Sequence, residues 1–192
     1  VHVEEIFDYN DLNRYVEYVS NINSLLTDSI LGEYISISEL KYLLTQLIRE
    51  KVSVKDIVYI FEKLNDFSDD PNKADLLEKV RMALSRQIAA SVANSDKEIF
   101  AYELDEDTLD LLERQTNTEE NSIKIDLSKF TKFKKILKEM RQNIIEQSAI
   151  IVAPQQYRHI IFILVSQLFI DIPVVCYEEI PMEYKLNILG KI

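Results

Sequence analysis

Residues 36–68 constrain this chain more than any other stretch, because they place two capped amphipathic helices around a very short joint. Ile37, Leu40, Leu43, Leu44, Leu47 and Ile48 recur at the i, i+3, i+4, i+7 spacing of a single helix face. Ser36 stands three residues before Glu39, the spacing of a capping box. A second stripe follows in Ile57, Ile60, Phe61 and Leu64, with Ser53 as the expected N-cap and Asp56 in the first turn. Between the helices lie Arg49, Glu50, Lys51 and Val52. A joint that short makes the helices packed neighbours.

The rest of the first half is also helical in pattern. Leu12, Tyr15, Val16, Val19 and Ile22 predict a helix from Asp11 to about Leu26, followed by a loop around Gly32. Asp70 and Pro71 have the order of a cap and a first helical residue, and Leu76, Leu77, Val80, Leu84 and Ile88 continue one helix to about Ala93. The pattern changes at Asn94. Residues 98–104, 122–127, 149–153, 172–177 and 185–189 have strand character. Helices are expected from Asp105 to about Arg114, from Ser128 to about Gln147, and after Pro154. The expected fold class is therefore α+β: an all-helical subdomain, then a small α/β subdomain with a mixed sheet covered by helices. The expected divisions are a leading segment at 1–35, a helical subdomain at 36–94 and an α/β subdomain at 95–192.

Composition removes several functions. The chain has 192 residues, 47% of them hydrophobic, so it can bury a core. It contains only two glycines, Gly32 and Gly190, so a glycine-rich phosphate loop is missing. The net charge of −11 disfavours general binding to nucleic acid or anionic membrane. The helix pair 37–66 also lacks an Arg or Asn array that would read base edges. No apolar run is long enough to span a bilayer. A chain opening on Val1 reads as a fragment or processed piece. Cys176 is the one cysteine, which points to a reducing compartment and a buried, inert thiol. His2 and His159 are read as surface or structural, and Glu178 and Glu179 as surface carboxylates. No metal-ligand spacing occurs. No catalytic site, cofactor or metal is expected.

Charge is unevenly spread. Residues 96–126 are rich in Asp and Glu, and Lys129, Lys132, Lys134, Lys135, Lys138 and Arg141 follow close behind. These blocks are either solvated faces or complementary surfaces across a subunit contact. Tyrosines gather in the first third, at Tyr9, Tyr15, Tyr18, Tyr34, Tyr42 and Tyr59. Amphipathic tyrosines suit protein contacts. From the residues alone, an interaction or assembly module is the default.

Three segments resemble one family. Arg49-Glu50-Lys51-Val52-Ser53-Val54-Lys55-Asp56, with Leu64-Asn65-Asp66-Phe67 beyond it, is similar to the R-E-[RK]-V-S-[IV]-[RK]-D joint and following helix of type III secretion export-gate proteins. These are the flagellar FlhA and its virulence relatives of the InvA and MxiA kind. Val80-Arg81-Met82-Ala83-Leu84-Ser85-Arg86-Gln87-Ile88 resembles the family's V-R-x-x-L-x-R-Q-I. Residues 172–181, IPVVCYEEIP, resemble its P-V-[LV]-[SC]-Y-x-E-I-[PA]. The match covers about 36–192.

The resemblance implies the cytoplasmic part of a protein anchored in the bacterial inner membrane. It implies a homo-oligomeric, nonameric ring that docks chaperone–substrate complexes and gatekeeper proteins and gates their export. It places 36–93 in the family's third subdomain and 97–192 in its fourth, with the first two mostly absent. The virulence branch is the expected one. Arg49, Glu50, Lys51, Lys55 and Asp56 are the exposed polar candidates for a subunit contact near the joint. Two alternatives stay open: a cytosolic helical adaptor or regulator, and an enzyme built on the α/β half.

Overall fold

A computed structural model describes residues 7–70, 73, 75–116, 125–168 and 171–192. The chain divides into two compact units, Val1–Gln87 and Ile88–Ile192.

The first unit is helical. Helix α1 runs Tyr9–Ile22 under a capping box, in which Asp8 accepts from the Asn10 and Asp11 amides while Asp11 reaches back to the Asp8 amide. The expected continuation to Leu26 does not occur. Asn23 is extended at φ −152°, ψ 95°, and its side chain accepts from the Leu26 amide 3.3 Å away. An asparagine that can serve a new helix as its cap ends the old one. Helix α2, Ser24–Ile30, follows, so part of the expected loop is helical. Helix α3 runs Ile37–Arg49 with the predicted capping box of Ser36 and Glu39. Its Leu40, Leu43, Leu44 and Leu47 are buried, each worth about 1.5–3 kcal/mol of transfer free energy. Ile37 stays 39% exposed and Ile48 half-buried, so the stripe is narrower than expected.

Helix α4 runs Ile57–Asp66, with Ile57, Ile60, Phe61 and Leu64 in the core as predicted. The last predicted helix is two: α5 at Leu76–Ala83 and α6 at Ser85–Val92, parted at Leu84. The unit boundary falls inside α6. Asp70, the predicted cap, does not cap this helix: Asp75 holds the cap position before Leu76, and the Asp70 carboxylate instead accepts from Lys79 Nζ. Pro71, the predicted first helical residue, lies outside the described residues.

After the end of α6 the second unit turns through a tight loop. The Asn94 side chain accepts from the amides of Asp96 and Glu98, both at 2.9 Å. That arrangement holds Lys97 at φ 58° and delivers strand β1, Glu98–Glu103. Helix α7, Glu106–Thr116, and helix α8, Thr131–Glu146, follow, with a 3-10 turn at Leu127–Lys129 capped by Asp126. Ser128 was the expected cap of α8 and lies in that turn instead. The expected strand at 122–127 falls mostly outside the described residues. Strand β2, Ile150–Ala153, leads to helix α9, Gln155–Gln167. Strand β3, Val174–Cys176, passes through a 3-10 turn at Tyr177–Glu179 toward strand β4, Lys185–Lys191.

The sheet order is β3-β2-β1-β4, and every pairing is parallel. The α+β fold class holds, but the sheet is parallel where a mixed one was expected. Helix α9 carries the chain from β2 to β3, and α7 and α8 lie between β1 and β2, so each strand re-enters in the same direction. Fully buried β2 shows what covered faces demand of a strand. The core gathers Leu112, Phe133, Leu137, Ile144, Ile161 and Leu164 from these helices against Tyr102 and Ile151 of the sheet. β4 bulges opposite Ala101 and Tyr102, and Gly190 there lets the Tyr102 ring approach to 3.4 Å of where a Cβ would sit.

Candidate subunit-contact surface

The joint begins where α3 stops. Glu50 is the C-cap, and Lys51 adopts φ 59°. The Val52 amide donates to the Leu47 carbonyl at 2.8 Å, and the Lys51 amide to Ile48 at 3.0 Å. This is a Schellman ending with lysine in the left-handed position that glycine usually takes. Beyond it the chain is extended and alternates. Val52 and Val54 are buried, while Lys51, Ser53 and Lys55 are exposed. Two β-branched residues two apart, with polar neighbours, favour that period over a helical one. Helix α4 therefore starts at Ile57, not after Ser53. Asp56 is its N-cap and accepts from the Tyr59 amide at 3.4 Å, whereas Ser53 Oγ accepts from the Lys55 amide.

Four of the five predicted contact residues, Arg49, Lys51, Lys55 and Asp56, are exposed. Glu50 is not an exposed contact residue. Its side chain is 2% exposed, and Arg81 Nη1 donates to its Oε2 at 2.7 Å from an equally buried guanidinium. A buried carboxylate needs such a partner, because desolvation disfavours it otherwise. Gln87 Nε2 also donates to the Ser53 carbonyl at 2.8 Å. Arg81 and Gln87 thus fasten the joint from α5 and α6. Sequence reasoning assigned them no role, although it singled out both strings, 49–56 and 80–88. Their pairing is the missing link, and it needs the fold.

Next to the joint lies a cleft of about 570 Å³. Buried Phe7 and Ile57 with half-buried Tyr15 and Ile48 line it, and exposed Arg14, Tyr18 and Lys55 stand around them. Asp11 also lines it, 3.5 Å from Arg14 Nη1.

Other candidate residues resolve plainly. Cys176 is buried, and burial together with the nearby Glu179 charge pushes its thiol well up. Glu179, expected at the surface, is fully buried and accepts from the Cys176 amide at 2.9 Å. It turns inward because the 3-10 turn replaces the expected strand end, so adjacent side chains no longer alternate. Glu178 remains exposed. His159 is half-buried and stacks on Phe162, with ring centroids 6.2 Å apart. Part of the acidic and basic blocks meets inside the second unit: Lys132 Nζ donates to Asp105 at 2.8 Å and to Asp107.

The chain belongs to the FHIPEP family, which matches residues 1–185. It is 23% identical over 195 residues to the flagellar biosynthesis protein FlhA of Bacillus subtilis, covering 98% of this chain and 29% of that protein. With the FlhA of Buchnera aphidicola it shares 31% identity over 129 residues, covering 64% of this chain and 18% of that one. The chain thus spans less than a third of these relatives. Its fold matches the MxiA protein of Shigella flexneri with a TM-score of 0.85 at 22% identity, over 99% of this chain and 64% of that one. It also matches nonameric SctV-C of EPEC, with a TM-score of 0.79 at 20% identity, over 98% and 58% of the two chains.

Proposed function

We propose that this chain is part of the cytoplasmic domain of a type III export gate, a non-catalytic piece that assembles into a ring and there docks chaperone–substrate complexes and gatekeepers. Its membership of the FHIPEP family carries the reading. Two of the similar structures, SctV-C and the EscV cytosolic domain, are nonameric, which supports the ring. A CdsV structure in complex with CdsO supports a role in holding partner proteins. No helix among the described residues is long and apolar enough to cross a bilayer, and in this reading the protein works at the cytoplasmic face of the bacterial inner membrane.

In this reading Arg49, Lys51, Lys55 and Asp56 line the contact between neighbours, and Glu50 acts behind them by fixing the joint. Light scattering on a sizing column across concentration, with electron microscopy of large species, tests the assembly. Closed rings are expected. A strict monomer at high concentration removes the ring from this part of the protein. The virulence branch is tested by which apparatus the gene restores in deletion strains, effector secretion or motility.

A further inference from the structure

The cleft beside the joint has an apolar floor and a cationic rim in a chain whose net charge is −11. The same unit presents a shape that suits it. Asn23 breaks the chain between α1 and α2, and this break sets Ile22 and Leu25 outward at 55% and 78% exposure. Leu26, one residue on, is 8% exposed, so the two adjacent leucines part, one to the core and one to water. Asp28 lies three residues after Leu25, on the same face of α2, and is exposed. The result is an apolar shoulder with a carboxylate beside it.

We propose that the cleft lined by Phe7, Tyr15, Ile48 and Ile57 receives the Ile22–Leu25 shoulder of a second copy of this chain, with Asp28 of that copy meeting Lys55 and Arg14 at the rim. The inference rests on the self-assembly reading above and names the surfaces that meet. Charge complementarity selects the occupant: the rim carries Arg14 and Lys55 against one carboxylate, Asp11, and the shoulder brings Asp28. Apolar area on both sides supplies the drive, and the charges set the register. The two surfaces differ, so each copy uses one toward each neighbour. Such a head-to-tail contact generates rings when its rotation closes.

The test uses the full chain with Leu25→Ser, Asp28→Lys, Lys55→Glu, Tyr18→Ala and the double variant Asp28→Lys/Lys55→Glu. All four positions are exposed, and circular dichroism checks that each of the five variants folds. Light scattering against concentration is the readout. Leu25→Ser, Asp28→Lys and Lys55→Glu are each expected to raise the concentration at half-assembly by about tenfold or more, and the double variant to recover most of it. Wild-type assembly by Leu25→Ser and Asp28→Lys overturns the proposal, while rings in those samples leave the self-assembly reading intact. Single variants that weaken assembly without rescue in the double overturn the Asp28–Lys55 pairing. Loss of assembly in Tyr18→Ala alone puts a different segment in the cleft and also overturns it. A wild-type chain that stays monomeric removes both readings.

Discussion

Lys51, Lys97 and Ser148 all have positive φ, between 49° and 59°, in a chain with only two glycines. Ser148 closes α8 as Lys51 closes α3, with its amide donating to Ile145 and the Ala149 amide to Ile144. The left-handed backbone costs a non-glycine residue about 1–2 kcal/mol, so Ser148→Gly is expected to stabilise the protein by about 0.5–1 kcal/mol after the entropy of glycine is counted. Thermal or urea unfolding measures this. Asp105 caps α7, accepting from the Thr108 amide at 2.8 Å. Burial raises its carboxyl, but hydrogen bonds from Lys132 and Thr108 outweigh this and hold it below the ordinary value of 3.8. Its contribution is therefore present above that value and fades as pH falls through the lower folded value. Asp105→Ala is expected to cost about 1 kcal/mol at neutral pH. That gap between wild type and variant narrows below pH 3.8, as denaturation at stepped pH will show.

Between elements, the Arg81–Glu50 pair and the Gln87–Ser53 bond turn an extended joint into a fixed one. Arg81→Met removes the charge facing a buried carboxylate and is expected to cost about 3–5 kcal/mol. The double variant Arg81→Met/Glu50→Met is expected to lose clearly less than the sum of the two single changes, because it leaves neither charge buried alone. Urea unfolding of the four proteins gives the coupling. A pair worth nothing beyond two additive losses contradicts the clamp. The helix breaks at Asn23 and Leu84 act at this scale too, dividing long apolar stripes into shorter helices that can change direction.

At the scale of the molecule, the proposed subunit contact assigns the joint's outward cations a different role from its inward carboxylate. Lys51→Glu is expected to leave the melting temperature within about 2 °C of wild type, as exposed charges contribute little to folding. It should still weaken self-association in sedimentation or light scattering. Unchanged assembly by this variant would remove the joint from the subunit contact. The two measurements separate a residue that holds the fold, as Arg81 does, from one that meets a neighbour, as the proposal has Lys51 do.

Much of the element plan was legible in the order of residues. Apolar periodicity and the Ser36–Glu39 box fixed α3 and the core face of α4, because such signals act within a few residues. Uniformly apolar β2 announced covered faces for the same local reason. The strings at 49–56, 80–88 and 172–181 were also enough to mark the family. Tertiary structure decided the rest. Whether Asn23 sits inside a helix or caps a new one depends on which option packs, and periodicity continues through it either way. Strand direction follows from crossovers that no single strand records. Glu50 and Glu179 look like surface carboxylates in the sequence, because the arginine or backbone amide that makes burial tolerable comes from elsewhere in the fold. The joint is the clearest instance: its outward lysines were legible from composition, while its inward glutamate became a structural residue only when α5 brought Arg81 to within 2.7 Å. Local preferences are written in neighbouring residues, whereas burial of a charge is a property of whatever surrounds it.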